Sequence, residues 1–549
     1  MHYLLGVDVG TTHLKAIVFD EKGNEISRSI RNTPSIAFPD GKVDQNPDEL
    51  WHAVAATIAE AVSEMGGLDD ARKIEGLAVA SVAEAGVLLD AHGQWLYPII
   101  AWYDLRTVAE SNWWRETVGP EDIFAVTGLN ADPMYSVTKI MWIKNNHPDA
   151  YNKATRWLCT SDYINYRLTG EMAMDLSLAS RTMLFDQRKQ AWSEEFLSHA
   201  GLPITLMPPA VDSGTLVGRV TREAARMTGL PEGIPVFAGG HDHLCGALAA
   251  GIIGTGLVLD SIGTAESLLG VTDAPRLSPE VHKMGFGVGH HVVRDKYYIM
   301  GGTLSAGASI EWLARTFIAN SSGSSNAGAP HGSHAGAAHG GRETETREVK
   351  DVYRIIESLA RESTPCARGL FFLPHLRGSG PPRRDPMSRG VFLGLRTHHS
   401  LADITRATIE GLCLELRSGL QALEAAMGSG VQEIRAIGGG AKNRFWLETK
   451  ATVLGRPVKL PGNPEAVALG AALLAGIGSG IYKDEADAVR NTYRELGQVE
   501  PDGDLQPIYD SAYSIYKSIY PATREISYSI ETQLEAKLKE LESRLNTIG

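Results

Sequence analysis

One strand–turn–strand pattern occurs twice in this chain and constrains its fold more than any other feature. Residues 3–19 contain a buried strand, a Gly-Thr turn and a second strand, which is the pattern of a β-hairpin. Residues 258–269 repeat that pattern, with Gly263-Thr264 in the place of Gly10-Thr11. An internal repeat over this distance predicts two related domains, each with its own phosphate-facing hairpin.

Helical and strand patterns alternate along the chain. Residues 48–65 have helical spacing, and short apolar runs of strand length follow at 76–80 and 86–90. This alternation indicates an α/β architecture. The apolar face of the predicted helix consists of Leu50, Val54, Ile58, Ala61 and Val62.

The length of 549 residues exceeds what one hydrophobic core supports. We expect a first domain over residues 1–246, a second over 247–495 and a helical C-terminal extension over 496–549. Residues 320–342 are low in complexity, and we interpret them as a flexible surface insertion within the second domain. The extension predicts an amphipathic helix that packs on its own domain or, alternatively, forms a homodimer contact. Its apolar positions are Ile526, Ile530, Leu534, Leu538, Leu541 and Leu545.

The composition argues against several kinds of partner. A formal net charge of −13 at pH 7 disfavours nucleic acid, whose phosphate backbone requires a basic surface. The sequence has no run of about 18 apolar residues, so we expect no membrane span. Its four cysteines are far apart and form no metal-ligand motif. Together with the absence of a leader pattern, this predicts a cytoplasmic protein with reduced thiols.

The two Gly-Thr turns differ at one position that bears on their chemistry. Asp8 precedes the first turn, whereas Ser261 occupies the equivalent position before the second. Two turns that face each other across a cleft supply two sets of backbone amides but one carboxylate, as a single Mg²⁺-nucleotide requires. A Gly-Thr turn alone is also a common structural hairpin, so the prediction depends on the pair. The candidate nucleotide-binding residues of the turns are Gly10, Thr11, Thr12, Lys15, Gly263 and Thr264.

A carboxylate suited to general-base chemistry follows another apolar run. Residues 235–240 end in two glycines and deliver His241, Asp242 and His243 to a predicted turn, at the strand end where α/β proteins bind ligands. Asp242 can accept the proton of an attacking sugar hydroxyl. The same three side chains are also a candidate metal site, although alternating residues at a turn rarely converge on one ion.

A glycine-rich segment is a second candidate for nucleotide binding. Residues 434–443 combine a strand, three glycines and the start of a helix. This arrangement predicts a seat for the nucleotide at Gly439, Gly440 and Asn443, or otherwise a tight structural turn. The helical run at 465–475 is rich in small residues and is more typical of a packing element.

Residues 101–107 contain a candidate sugar-binding surface. If the segment is extended, Trp102, Asp104 and Arg106 lie on one face. An aromatic ring beside polar anchors favours a sugar-binding surface, whereas a structural salt bridge between the two charged residues is the alternative interpretation.

Two longer segments match known diagnostic patterns position by position. They are residues 134–146 (MYSVTKIMWIKNN) and residues 390–410, which begin GVFLGL and end DITRATIE. Over roughly residues 1–495 the chain therefore resembles the FGGY family of carbohydrate kinases, which includes xylulose, ribulose, gluconate, fuculose and glycerol kinases. The resemblance implies two actin-like (ribonuclease H-like) α/β ATPase domains. They would close on ATP and a small sugar or polyol across an interdomain cleft.

The resemblance also implies roles for individual residues. Asp242 is the expected catalytic base of in-line phosphoryl transfer, and Asp8 and Asp242 are the expected Mg²⁺ ligands. Around ATP, the resemblance adds Gly307 and Glu311 to the residues of the glycine turns. The sugar pocket that the resemblance implies comprises Ala83, Glu84, Met134, Asp242 and His243, and the segment at 101–107 adds Trp102 and Asp104 to the expected sugar-binding residues.

The resemblance does not name the sugar. This chain has Ala83-Glu84 and Met134 at positions where glycerol kinases typically have Arg-Glu and Tyr. Xylulose kinases typically have Met-His in the place of Ala83-Glu84. A ketopentose such as xylulose is the leading prediction; a hexulose such as fuculose, gluconate, erythritol and glycerol are alternatives. The negative charge of Glu84 argues against gluconate. The rival from another class is a non-catalytic actin-like nucleotide switch, which needs no carboxylate facing a sugar.

Overall fold

The computed structural model describes residues 2–66, 68–318, 353–535, 537–538 and 541. The predicted insertion at 320–342, with its three histidines, and Leu545 lie outside the described residues. The first large sheet has six strands in the spatial order β5-β6-β4-β1-β2-β3. These strands are Tyr3–Val9 (β1), His13–Asp20 (β2), Glu25–Asn32 (β3), Ile74–Ser81 (β4), Leu216–Arg219 (β5) and Pro235–His241 (β6).

The second large sheet follows the first in the sequence. Its seven strands have the spatial order β9-β10-β8-β7-β11-β12-β13. They are Leu257–Ile262 (β7), Glu266–Thr272 (β8), Gly287–His290 (β9), Tyr297–Thr303 (β10), Glu433–Ile437 (β11), Val458–Pro461 (β12) and Glu495–Val499 (β13). Shorter strands outside the large sheets are Ile36–Ala37, Val43–Gln45, Gly86–Leu89, Ile99–Ile100, Arg156–Cys159, Met174–Asp175, Phe185–Asp186, Ala191–Trp192, Ala210–Val211, Phe371–Leu373 and Val391–Leu393.

The two large sheets repeat one topology. In each, the first strand of a Gly-Thr hairpin pairs antiparallel with the second strand, which pairs antiparallel with a third. On its other side the first strand pairs parallel with a later strand, which pairs parallel with another. The Val9–Leu14 pair beside the first turn corresponds to the Ile262–Glu266 pair beside the second. The prediction of two related α/β domains is confirmed.

The longer helices cover the sheets and lie between them. They are Pro47–Glu64 (α1), Ser136–Asn146 (α2), Thr160–Thr169 (α3), Asp242–Ala249 (α4), Gly307–Leu313 (α5), Leu401–Met427 (α6), Arg444–Leu454 (α7), Ala466–Gly478 (α8), Gln506–Tyr516 (α9) and Ile519–Ser529 (α10). Further helices are Leu68–Ala71, Val108–Thr117, Pro120–Thr127, Pro148–Tyr151, Leu176–Ala179, Glu194–Ala200, Arg222–Thr228, Pro279–Met284 and Glu485–Thr492.

Helix α1 is the helix predicted over residues 48–65. All five of its predicted apolar positions are buried, and each large apolar side chain contributes about 1.5–3 kcal/mol when it leaves water. The helix begins after Asn46, whose side-chain oxygen accepts the backbone N–H groups of Asp48 at 2.9 Å and Glu49 at 3.2 Å. Capping and burial together explain why this segment is helical.

Helices α4 and α8 lie between the two large sheets and hold them together. Both belong to a hydrophobic cluster that contains Leu4 from the first sheet and Leu259 from the second. The approach is close enough to require glycine, since a Cβ on Gly6 of β1 would lie 1.8 Å from the carbonyl oxygen of Ala468 in α8. The small-residue run is therefore a packing element, as its sequence indicates, at the junction of the two halves.

The domain limits stay a prediction, and two of them fall inside elements of the structure. Residue 246 lies inside α4, and α8 returns from the second half of the sequence to pack on β1 and β4. The segment predicted as a helical extension begins in β13, the edge strand that pairs antiparallel with β12. Contacts between segments far apart in the sequence set these limits, and local periodicity does not report such contacts.

The end of the chain carries an exposed apolar face. Ile526, Ile530, Leu534, Leu538 and Leu541 are between 39% and 61% exposed. About half of the surface of these side chains is therefore uncovered, and both interpretations of the helix, packing on its own domain or a homodimer contact, stay predictions. Among the residues with described positions, no helix is both long enough and apolar enough to span a lipid bilayer.

Acid is expected to weaken the fold through His291, which follows β9. The ring is buried, and burial lowers its pKa to about 3, while His291 Nδ1 accepts the N–H of Val293 at 3.0 Å. As the pH falls below about 6.5, the unfolded chain binds a proton that the folded chain refuses. The free energy of unfolding therefore falls by about 1.4 kcal/mol per pH unit from this residue alone.

The variant His291→Asn keeps an acceptor for Val293 and removes the titrating ring. Denaturant unfolding at pH 7, 6 and 5 should give a dependence on pH that is shallower than in the parent protein. An identical dependence in both proteins would mean that His291 titrates in the folded state, contrary to its burial.

Candidate active site

Asp242 is the first residue of α4 and directly follows β6. The turn predicted here is instead the start of a helix, because Leu244 and the residues after it pack against α8. Asp242 Oδ1 accepts the backbone N–H of His243 at 2.6 Å and lies 3.2 Å from His241 Nε2. Its other oxygen, Oδ2, has no hydrogen bond to any residue that the structure describes. One carboxylate oxygen is thus available to accept a proton.

The environment of Asp242 makes its carboxylate more basic than usual. Burial raises the pKa of Asp242 most strongly, and the neighbouring charge of Glu84 raises it further, although His243 lowers it. The side chain is nevertheless 20% exposed, so part of it is accessible to solvent. A partly accessible carboxylate with a raised pKa suits a general base.

Asp8 lies at the end of β1, close to Asp242. Burial and then the charge of Asp242 raise its pKa to about 7, while Lys15 lowers it. Lys15 Nζ is 4.0 Å from Asp8 Oδ2 and 2.6 Å from Glu465 Oε2, which immediately precedes α8. Two neighbouring carboxylates that resist ionisation fit a divalent cation with hard oxygen preference, and Mg²⁺ is usually held by one or two carboxylates plus phosphate oxygens.

The alternative metal site at His241–His243 finds no support. Within the part of the chain that the structure describes, no group of three or more His, Cys, Asp or Glu side chains could hold a metal ion. The rings of His241 and His243 have their centroids 5.4 Å apart and tilted, and burial lowers the pKa of His241 well below its ordinary value. His243 remains beside the Asp242 carboxylate, to which its backbone N–H donates.

The first Gly-Thr turn presents its polar groups outward. The Gly10 N–H donates to the His13 carbonyl at 3.1 Å, and Thr11 and Thr12 are exposed. Trp102 Nε1 donates to Thr11 Oγ1 at 3.0 Å. Gly10, Thr11 and Trp102 line one small pocket, so the structure brings the predicted phosphate turn and the predicted stacking ring together.

The second Gly-Thr turn contacts the start of α5. Gly307 donates its N–H to the Gly263 carbonyl at 3.0 Å, and Ala308 donates to the Thr264 carbonyl at 3.1 Å. A Cβ on Gly307 would lie 2.5 Å from the Gly263 carbonyl oxygen, so only glycine allows this approach. Glu311 is exposed one helical turn later. The implied nucleotide residues of α5 thus adjoin the second turn.

The triple-glycine segment lies beside the same turn. Gly438 has a φ of +94°, and a Cβ on it would lie 2.5 Å from the Ile262 carbonyl oxygen, one residue before Gly263. Gly440 also packs on Ile262, whereas nothing lies within 4 Å of a Cβ on Gly439. Asn443 is buried and caps α7 by accepting the Trp446 N–H at 2.9 Å. The segment is therefore both a tight structural turn and a neighbour of the second phosphate turn.

A buried ion cluster connects α7 to both strands of the second Gly-Thr hairpin, β7 and β8. Lys450 Nζ, on α7, contacts Asp260 of β7 and Glu266 of β8, and all three side chains are wholly buried. Burial, despite the ammonium group, raises the pKa of Glu266 to about 8. Sequence reasoning did not identify this cluster, because its members are 6 to 190 residues apart.

The predicted sugar residues lie at the ends of the strands of the first sheet. Ala83 and Glu84 follow β4 and are buried, and β4 is the neighbour of β6, with Ser81 paired to His241. Met134 is half-buried just before α2. The structure therefore brings Glu84 and Asp242, the predicted base, to adjacent strand ends.

Asp104 is placed differently from the prediction. Residues 102–107 form turns instead of an extended segment, and Asp104 is only 1% exposed. It accepts the N–H of Val43 at 2.7 Å and pairs with Arg106, which also pairs with Asp44 at 2.7 Å. The structural salt bridge is thus the correct interpretation for Asp104, because tight turns direct its carboxylate away from Trp102 and into a closed ion network.

Comparisons with known proteins decide the family. Residues 3–249 match the N-terminal domain of the FGGY family of carbohydrate kinases, and residues 259–479 match its C-terminal domain. The chain belongs to this family. As an FGGY carbohydrate kinase, it is an ATP-using phosphotransferase with two actin-like domains.

Individual relatives resemble this FGGY kinase over nearly its full length. A xylulose kinase of Staphylococcus epidermidis is 30% identical over 96% of this chain and 98% of its own. One of Bacillus subtilis is 29% identical over 97% and 99%. The crystal structure of xylulose kinase from Rhodospirillum rubrum superposes with a TM-score of 0.85 at 28% identity, covering 96% of this chain and all of that one.

Sequence reasoning did not single out two buried cations that contact the predicted sugar residues Glu84 and Met134. Arg181 pairs with Glu84 through Nε at 2.7 Å and through Nη2, and its guanidinium lies 5.2 Å from the centre of the Tyr135 ring. Lys139 of α2 is buried and donates to the carbonyl oxygens of Pro133 and Met134. Arg181 thus balances the charge of Glu84, which the sequence alone presented as uncompensated.

Proposed function

We propose that this kinase transfers the γ-phosphoryl group of ATP, bound as its Mg²⁺ complex, to a hydroxyl group of a ketopentose such as xylulose. The observation that carries the proposal is the unpaired Oδ2 of Asp242, held beside Asp8 at the strand ends of the first sheet. The xylulose kinases of comparable length support the choice of acceptor.

The chain's own residues account for the transfer as follows. Asp242 Oδ2 accepts the proton of the acceptor hydroxyl as its oxygen approaches the γ-phosphorus. The two Gly-Thr turns offer backbone N–H groups and hydroxyl groups to the triphosphate, and the triple-glycine turn accommodates the rest of the nucleotide. Asp8 and Asp242 are the residues that would hold Mg²⁺, which neutralises phosphate charge when bound. Closure of the two halves on their shared helices then excludes water from the reacting groups.

A panel of acceptors tests the proposal directly. ADP release is measured with ATP, Mg²⁺ and, in turn, pentuloses, hexuloses, aldonates and polyols. We expect D-xylulose or another ketopentose to give the highest kcat/KM and to stimulate ADP release over the rate without sugar. ATP binding without stimulation by any acceptor would instead indicate the nucleotide switch, and a higher kcat/KM for an aldonate or polyol would replace the ketopentose.

Homodimerisation through the exposed C-terminal face is also part of the proposal. A face with Leu534 about half exposed is costly to leave in water. Analytical ultracentrifugation should therefore give a dimer that the double substitution Leu534→Glu and Leu538→Glu converts to a monomer; a monomeric parent protein would refute this.

A cytoplasmic location completes the proposal, and cell fractionation checks it.

A further inference from the structure

A buried and balanced ion pair lies beside the catalytic carboxylate. Glu84 and Arg181 are 3% and 6% exposed, and both Nε and Nη2 of Arg181 contact the same oxygen, Glu84 Oε1. The other oxygen, Oε2, makes no hydrogen bond with any described residue. Arg181 also packs over Tyr135, the residue after Met134. The pair thus occupies the acceptor side of the site with one carboxylate oxygen unused.

The position of this pair relative to Asp242 follows from the fold. Glu84 follows β4 and Asp242 follows β6, and these two strands are parallel neighbours whose ends pair Ser81 with His241. Glu84 and Arg181 are both close enough to Asp242 for their charges to interact with its carboxylate. A sugar whose reacting hydroxyl contacts Asp242 therefore has its remaining hydroxyls near Glu84 and Arg181.

We propose that Arg181 is a specificity-determining residue: it balances Glu84, so the pocket selects a neutral polyhydroxy acceptor and rejects an aldonate. This inference rests on the proposed function and specifies its substrate class. In the native pair, Oε2 of Glu84 accepts hydroxyl hydrogens but repels a carboxylate. The guanidinium, meanwhile, directs Nε and Nη2 at Glu84, and this pairing balances its charge and weakens its attraction for an acidic acceptor.

The sharpest test removes the carboxylate charge and leaves the guanidinium. In Glu84→Gln, Arg181 becomes a buried cation without a charged partner, which an aldonate carboxylate can then contact. We expect the ratio of kcat/KM for D-gluconate to kcat/KM for D-xylulose to rise at least about tenfold, the size of one charge-assisted contact. Both values come from one preparation, so the fraction of active protein cancels from the ratio.

Two further variants separate specificity from folding. Glu84→Gln combined with Arg181→Gln removes both charges, and the gain for D-gluconate should disappear. Arg181→Lys keeps the charge with fewer donors, and we expect a higher KM for D-xylulose with a ratio near that of the parent. The matched control is Glu410→Gln, which disrupts another buried Arg–Glu pair, with Arg406 on α6, and should leave the ratio unchanged.

The outcomes separate a failure of the proposed role of Arg181 from a failure of the proposed sugar kinase activity. A ratio in Glu84→Gln within twofold of the parent, or an equal rise in Glu410→Gln, overturns the role of Arg181 while the kinase activity stands. If Glu84→Gln turns over neither acceptor, calorimetric titration measures the affinity of the variant for D-gluconate. An affinity no higher than that of the parent protein also overturns the role of Arg181. A parent protein that no neutral sugar stimulates would contradict the proposed function itself.

Discussion

Replacing Asp242 by alanine is expected to lower kcat with the best acceptor by roughly 10²–10⁴-fold, the usual contribution of a positioned general base. The reason is that Oδ2 of Asp242 is unpaired and accessible beside Asp8, whereas Oδ1 is already held by the backbone of His243. A coupled assay of ADP release measures the effect. The KM for ATP should rise by a smaller factor than kcat falls, because Asp8 and the backbone amides of both Gly-Thr turns remain to bind the Mg²⁺ complex.

Asp242→Asn provides the isosteric comparison, since it keeps the shape of the side chain and removes its basicity. We expect a loss of similar size. The matched control is Asp212→Ala, whose carboxylate is 48% exposed and only 4.0 Å from Arg294, and its kcat should stay within about twofold of the parent. If Asp242→Ala retains kcat within fivefold, Asp242 is not the base.

Removing the ammonium group of Lys450 is expected to cause the largest loss of stability. In Lys450→Met, Asp260 and Glu266 stay buried without a positive partner, which costs about 3–5 kcal/mol. For the domain that contains the second sheet, this loss of stability corresponds to a fall in Tm of roughly 10 °C. Differential scanning calorimetry measures the shift, and a raised KM for ATP should accompany it because the cluster anchors the hairpin that carries Gly263 and Thr264.

The second sheet offers a matched control for this substitution. Lys459 on β12 also pairs with two carboxylates, Glu433 at 2.9 Å and Glu495 at 3.2 Å, but its side chain is 26% exposed. Water and salt screen such a pair, so Lys459→Met should cost less than about 1 kcal/mol. Equal shifts in the two variants would contradict the assignment of the large effect to burial.

The parts of the fold that local patterns encode were predictable. The repeated Gly-Thr hairpins and the helical spacing of residues 48–65 correspond to strands and a helix within a few residues. Each of these signals lies within one short segment, where side-chain periodicity reflects which face is buried. The small-residue run of α8 was likewise interpretable as a packing element, because close helix approach requires glycine and alanine.

The parts that depend on distant contacts were not predictable from one sequence. Arg181 reaches Glu84 from 97 residues away, and without it Glu84 looked like an uncompensated negative charge. Asp104 was misplaced because the direction of its side chain depends on turns and on a contact with Val43. In both cases a residue type was correctly noticed, but its partner was supplied by tertiary structure.

The central claim is transfer of phosphate to a sugar hydroxyl, and ³¹P NMR of the products tests it most directly. The parent protein is incubated with ATP, Mg²⁺ and D-xylulose, and the phosphorus signals are followed over time. We predict that a new phosphomonoester signal grows in one-to-one proportion with ADP. Inorganic phosphate as the sole product beside ADP, with no phosphomonoester, would contradict the account.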